Sequence, residues 1–195
     1  MNIAGIENFV VKALGTQLSL KLHYHNLSHT LDVVKNALRI AQQEGVHESY
    51  DLVLLKTAGY LHDIGFLNTF IDHEEEGCLI AQAILPDYNY DQEAIDIICS
   101  MIMKTKLPQK PVTLLEKILC DADLDHLGRE DFKEVSHRLF EEWKALGRID
   151  ESMDWNLIQY TFVDAHHYWT NTNQKRRNNL KAQFLQELKG LVMSK

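Results

Sequence analysis

The stretch Asp51-Leu52-Val53-Leu54-Leu55-Lys56-Thr57-Ala58-Gly59-Tyr60-Leu61 is apolar on nearly every side, with Lys56 its only charge after Asp51. A helix that is apolar all round has to be buried. Other elements must therefore wrap it, and the residues just beyond its end enter the interior. Those residues are His62-Asp63-Ile64-Gly65. An unpartnered carboxylate is costly at such depth, so an aspartate there is paired or bound to a metal.

The rest of the chain also reads as helix, and no segment alternates as a strand should. Ile6, Phe9, Val10, Ala13 and Leu14 mark an amphipathic first helix. After a histidine-rich connector, His23 to His29, Asn26 or Ser28 can cap a helix running to about Glu44 and stopping near Gly45. The buried helix is expected to end at Gly65. Asp72 can cap the next, which carries Glu74, Glu75 and Glu76 in its first turn and closes at Pro86. Further helices are expected from about Asp91 to Lys104, Leu114 to Leu127, Asp131 to Leu146, Trp155 to Tyr168 and Gln174 to Val192. The expectation is one compact all-α domain of eight or nine helices over residues 1–195, without repeat or interdomain linker; that length suffices for one sizeable core.

Charge and cysteine usage narrow the function classes. A net charge of -8 disfavours a nucleic-acid groove, and an anionic substrate would need local cations. Cys78, Cys99 and Cys120 are odd in number and far apart, which fits reduced thiols rather than a disulfide framework or cysteine zinc site. No run reaches the roughly 18 apolar residues of a membrane span. A cytoplasmic protein with neither membrane nor nucleic-acid partner is expected.

Several residues could complete a metal site around His62 and Asp63. His29 shares the stripe Val33, Ala37 and Ile40, spaced for an inward helix face. In Cys120-Asp121-Ala122-Asp123-Leu124-Asp125, Asp123 has Leu119 and Leu127 four residues either side, whereas Asp121 has Lys117 and Asp125. Asp123 is the better ligand, with Asp121 an outer or surface group. Two imidazoles and two carboxylates suit one divalent ion of Mn, Fe, Ni, Co, Zn or Mg. Such an ion polarises a phosphoryl oxygen and activates water. Any one of these residues alone is more simply a packed or paired side chain; the case rests on their joint inward placement.

The order His29, then His62-Asp63, then Asp123 resembles the H…HD…D signature of the HD-domain metal-dependent phosphohydrolases. The resemblance spans about residues 23–128, with supporting segments at Tyr24–Val33, His73–Gly77 and Asp121–Leu124; residues 129–195 would supply helices packed on it. It implies an all-helical fold with His29, His62, Asp63 and Asp123 around one metal. The run Tyr24-His25-Asn26…His29 is similar to the cyclic-nucleotide phosphodiesterase branch, which implies His25 as general acid. A histidine near its ordinary pKa suits that task at neutral pH. The metal-activated water would be assisted by Asp63 or Asp123.

His73 shares a face with Gly77, Ala81 and Ile84; its position in the family implies a substrate contact or a second-metal ligand. Dinuclear members need histidines in the following helix, and Ile95 to Thr105 has none, so one metal is favoured, with His73 a catalytic or substrate-binding group. Phe66 stands where the family often has lysine. Lys104 and Arg176, the latter within Lys175-Arg176-Arg177, are further candidates for the substrate phosphate. His166 to Trp169 could border the pocket. His23, His47, His126 and His137 read as structural or exposed, and Trp143 and Trp155 as core or helix-contact residues. The function expected is hydrolysis of a small nucleotide-like phosphomonoester or phosphodiester. The alternatives are a di-iron oxygenase of the same fold, which needs more ligands, and a non-catalytic binding module.

Overall fold

Helix α3, Ser49–Leu61, runs through the interior, and Leu54, Leu55 and Thr57 through Leu61 are buried. The computed structural model describes residues 1–150 and 152–194. Around α3 lie α1 (Ile3–Gln17), α2 (Leu27–Gln43), α5 (Gln92–Thr105) and α6 (Leu114–Asp123). Helix α4 (His73–Ile84) packs on α5 and on the short 3-10 turn Ile64–Leu67 that comes after α3. Helices α7 (Phe132–Ala145), α8 (Trp155–Ala165) and α9 (Asn171–Met193) complete the chain. The described residues contain helices and turns and no strand.

Local sequence sets the helix ends that matter for function. The Asn26 side chain accepts hydrogen bonds from the backbone N–H groups of Ser28 and His29, at 2.9 and 3.3 Å, which fixes the first turn of α2 and with it His29. Thr113 and Glu116 form a reciprocal capping box at the start of α6. Gly45 and Gly147 take positive φ, 81° and 69°, where α2 and α7 stop. Asp72 does not cap α4 as its position suggested. It adopts a left-handed φ of 53°, and its side chain pairs with Lys106 Nζ at 2.7 Å.

Several boundaries also differ from the periodic pattern. Helix α3 ends at Leu61, so His62 and Asp63 lie in the turn beyond it rather than inside a helix reaching Gly65. Helix α8 stops at Ala165, and residues 166–169 run extended before Thr170 caps α9, its side chain accepting from Asn173 N. The apolar spacing of residues 114–127 belongs to α6 plus a separate 3-10 turn, Asp125–Gly128.

Two apolar clusters share the interior. The larger joins residues of α1 to α6; the smaller joins Leu124, Leu127, Phe132, Val163, Phe184 and Leu188. A buried carboxylate ties them. Asp125 is fully buried, and it accepts from Arg177 at 2.6 Å, Arg39 at 3.1 Å and Asn173 at 3.1 Å. One side chain thereby links α2, the turn after α6 and α9. No helix among the described residues is long and apolar enough to cross a membrane.

Gly65 lets α4 approach the turn that carries Asp63. A Cβ there would stand 2.0 Å from the His73 carbonyl oxygen and 2.8 Å from Gly77 N, both backbone atoms of α4. Gly65→Ala is expected to destabilise the fold by roughly 1–3 kcal/mol through that collision. Urea unfolding measures it, and an unchanged midpoint would show that α4 is not held so closely.

Candidate metal centre and its cavity

His29, His62 and Asp123 offer ligand atoms that all lie within 4.8 Å of one another. His29 comes from the capped first turn of α2, His62 and Asp63 from the turn ending α3, and Asp123 from the last turn of α6. His29 Nε2 is 3.2 Å from Asp123 Oδ1 and 3.4 Å from Asp63 Oδ2. His62 Nε2 is 3.2 Å from Asp63 Oδ2 and 3.7 Å from Asp123 Oδ1. The four residues that the signature implied as ligands converge.

The donor chemistry fits a cation. His62 Nδ1–H donates to the Gly59 carbonyl at 2.8 Å, so its Nε2 faces the cluster. The two histidine Nε2 atoms face each other at 3.3 Å, which leaves one of them to present a lone pair. Asp63 Oδ2 is buried, makes no well-directed hydrogen bond and meets only the two histidine Nε2 atoms, at 3.2 and 3.4 Å, an arrangement a metal ligand would satisfy. Burial alone would raise the Asp63 pKa, but His62 beside it holds the carboxyl well below its ordinary range. Burial likewise opposes charge on His62, yet Asp63 and Asp123 outweigh it and lift the imidazole to about 9. The two carboxylates therefore favour positive charge between them, which a divalent ion would supply in place of the imidazole proton.

The cluster opens onto a cavity of about 280 Å³ lined at its inner end by His25, Asp63, His73 and Asp123. His73 Nε2 lies 3.4 Å from Asp63 Oδ1, and its ring stacks on Phe66 with centroids 3.9 Å apart. His25 packs on Phe66 as well, at 4.6 Å. Phe66 thus lies against both histidines.

Sequence reasoning missed Glu142. Its fully buried carboxylate accepts from the backbone N–H of Tyr24 and of His25, both at 2.9 Å, and from His25 Nδ1. Burial opposes charge on His25, but the Glu142 bond and the nearby Asp63 outweigh it and raise its pKa. The signal was present: Phe132, Val135, Ser136 and Leu139 define an inward stripe, and Glu142 continues it three residues on.

Other candidates fall elsewhere. Lys104 is half-buried beside Glu116, whose pKa its charge helps to lower, and it does not line the cavity. Arg176 is exposed on α9 and likewise absent from the lining; its neighbour Arg177 is the one engaged, with Asp125. Residues 166–169 do not border the cavity: Tyr168 is buried and donates to the Leu124 and Asp125 carbonyls at 3.3 Å. Trp143 and Trp155 do line it, besides meeting edge to face at 5.6 Å. His126 lines it too, buried against the Tyr24 hydroxyl, and burial with His29 nearby lowers its pKa to about 4.

Asp121 is neither ligand nor surface group. It is fully buried and accepts from Trp169 N at 2.7 Å, Thr170 N at 2.8 Å and the Thr170 hydroxyl at 2.6 Å. These bonds lower its pKa, but burial dominates and lifts it to about 6. Asp121→Ala would orphan these donors and is expected to cost roughly 3 kcal/mol in urea unfolding. Asp123→Ala is expected to keep the fold and weaken metal binding about 100-fold or more by calorimetric titration. The reverse pattern would exchange the two roles.

The comparisons agree with this geometry. The HD domain family model matches residues 26–128, just over half the chain. An uncharacterized protein of Clostridium beijerinckii is 38% identical over 79 residues, so the match spans about half of that relative, 48%, and 38% of this chain. A predicted HD superfamily hydrolase from an uncultured Thermotogales bacterium superposes with a TM-score of 0.63 at 24% identity, over 98% of this chain and 91% of that one. Bacillus subtilis YpgQ, solved in complex with ADP, superposes with a TM-score of 0.65 at 18% identity, over 98% and 97%. A Lactobacillus plantarum protein gives 0.65 at 18%, over 100% and 98%. At these identities the solved structures speak for the fold, while the family match covers His29, His62, Asp63 and Asp123 together: the chain belongs to the HD domain family.

Proposed function

We propose that this protein is a metal-dependent hydrolase of phosphate esters. The observation that carries the reading is the meeting of two histidine Nε2 atoms, Asp123 and the buried Asp63 Oδ2 at the inner end of a cavity. A divalent cation bound by these four residues supplies Lewis acidity to a phosphoryl oxygen and to a water.

The remaining work falls to side chains of this chain. Glu142 fixes the His25 ring by accepting a hydrogen bond from Nδ1–H, so the protonated ring keeps Nε2–H to give to the leaving oxygen. Asp63 Oδ1 orients His73 at the cavity wall, where its imidazole contacts the substrate. Of the two histidines considered as acid, His25 is the one held by a hydrogen-bonded carboxylate outside the cluster, and His73, whose carboxylate neighbour is the ligand Asp63, is the binding group. A nucleotide-like body suits this reading, because the aromatic residues Phe66, Trp143 and Trp155 are part of the cavity lining. In the Bacillus subtilis relative of the same fold, ADP is the bound molecule.

The test is phosphate release from a generic ester by metal-loaded protein, with chelator as the control. His25→Ala is expected to lower kcat about 100-fold or more. Protonated His25 is the active acid, so activity falls as pH rises through its folded pKa. Glu142 raises that pKa, so Glu142→Gln should move the alkaline limb of the kcat profile to lower pH. An unmoved limb would remove His25 from the acid role.

A further inference from the structure

Beyond Phe66, which lies against His25 and His73, the cavity is walled by Leu139, Trp143, Trp155 and Phe162. The polar side chains of the lining gather at the cluster end, apart from Ser136, Gln159 and Arg148; Ser136 donates to Gln159 Oε1. Among the described residues, Arg148 is the only lysine or arginine in the lining; it is exposed and donates to the Phe70 carbonyl. Lys106, the nearby alternative, is held by Asp72 at 2.7 Å and Glu75 at 2.5 Å. Three carboxylates, Asp63, Glu74 and Asp123, line the same space. The volume, about 280 Å³, is at the small end for ligand sites.

From this placement we propose that the substrate is a phosphomonoester with one phosphate group on a flat, weakly polar body that fills the apolar part of the cavity. The inference rests on the phosphohydrolase reading above and replaces its nucleotide-like body with a less polar one that carries a single phosphate. A second or third phosphate would sit against the apolar wall or beside Glu74, with Arg148 as its one permanent cation. Both placements strip charge of water without repayment. Sugar hydroxyls lying on Phe66, Trp143 and Trp155 would lose their water and find no partner. A flat apolar ring meets the aromatic faces without that loss and gains by leaving water. Selection then works through apolar area and phosphate number, with no hydrogen-bond readout of the body.

The experiment measures phosphate release by metal-loaded full-length protein from four probes: naphthyl phosphate, adenosine monophosphate, adenosine triphosphate and ribose 5-phosphate. The expected result is a kcat/KM for naphthyl phosphate about tenfold or more above those for the triphosphate and ribose 5-phosphate, and at least equal to that for the monophosphate. Preference for the triphosphate would overturn the single-phosphate claim. A monophosphate favoured about tenfold over naphthyl phosphate would show that ribose or base is read by hydrogen bonds, and would overturn the apolar-body claim. No release from any probe under any divalent metal would instead bring down the hydrolase reading, and this inference with it.

Trp155→Ala adds a second readout. It should raise KM for naphthyl phosphate about tenfold more than KM for ribose 5-phosphate, and Trp155→Phe should restore most of the loss. Equal changes for both probes would mean that Trp155 acts on the fold and not on the substrate body.

Discussion

Two carboxylates, Asp63 and Asp123, stand against two imidazoles whose Nε2 atoms are 3.3 Å apart, inside a helical protein. That cluster has charge and lone pairs in excess of the hydrogen bonds available to satisfy them, as Asp63 Oδ2, without a well-directed hydrogen bond, records. Its position is a consequence of α3. Because the helix is apolar on all sides, its end lies deep, and the residues beyond it are delivered to the interior with α2 and α6 packed on either side. Gly65 completes the arrangement by letting α4 bring His73 against Asp63. Burial creates the need for a cation, and the helix ends supply its ligands.

The C-terminal helices depend on the same kind of interaction. Asp121 holds the start of α9, Asp125 joins α9 to α2 through Arg177 and Arg39, and Glu142 fastens α7 to the backbone of Tyr24 and His25. Each is a buried carboxylate with several donors. A buried charge tolerates loss of its partner badly. These three contacts therefore set the position of α7 and α9, and with it the aromatic wall that α7 and α8 contribute to the cavity. Cluster, His25 and wall belong to one mechanical unit even though the apolar core is divided.

The sequence made the fold class and the cluster legible because both arise from local pattern. The all-round apolar run at 51–61 and the flanks of His29 and Asp123 already decide which side chains face inward. Partnerships across long separations stayed hidden. Glu142 meets His25 from 117 residues away, and nothing near either residue states the pairing. Asp121 looked polar-faced because Lys117 and Asp125 flank it on the helix, yet Asp125 is itself buried by arginines that arrive from α2 and α9. Lys104 and Arg176 attracted notice by charge alone, which does not say which face of a helix meets the cavity. Trp143 and Trp155, expected as core or helix-contact residues, meet each other edge to face and also line the cavity.

The central claim is that the buried cluster is a metal centre completed by Asp63. The direct measurement is metal content by mass spectrometry on protein purified without chelator or nickel affinity resin, for wild type and for Asp63→Ala, with circular dichroism to verify the fold. The account predicts about one equivalent of a divalent ion in the wild type and its loss in a variant that stays helical. A wild type that binds no divalent ion even after reconstitution, or a variant that keeps its full equivalent, would contradict it.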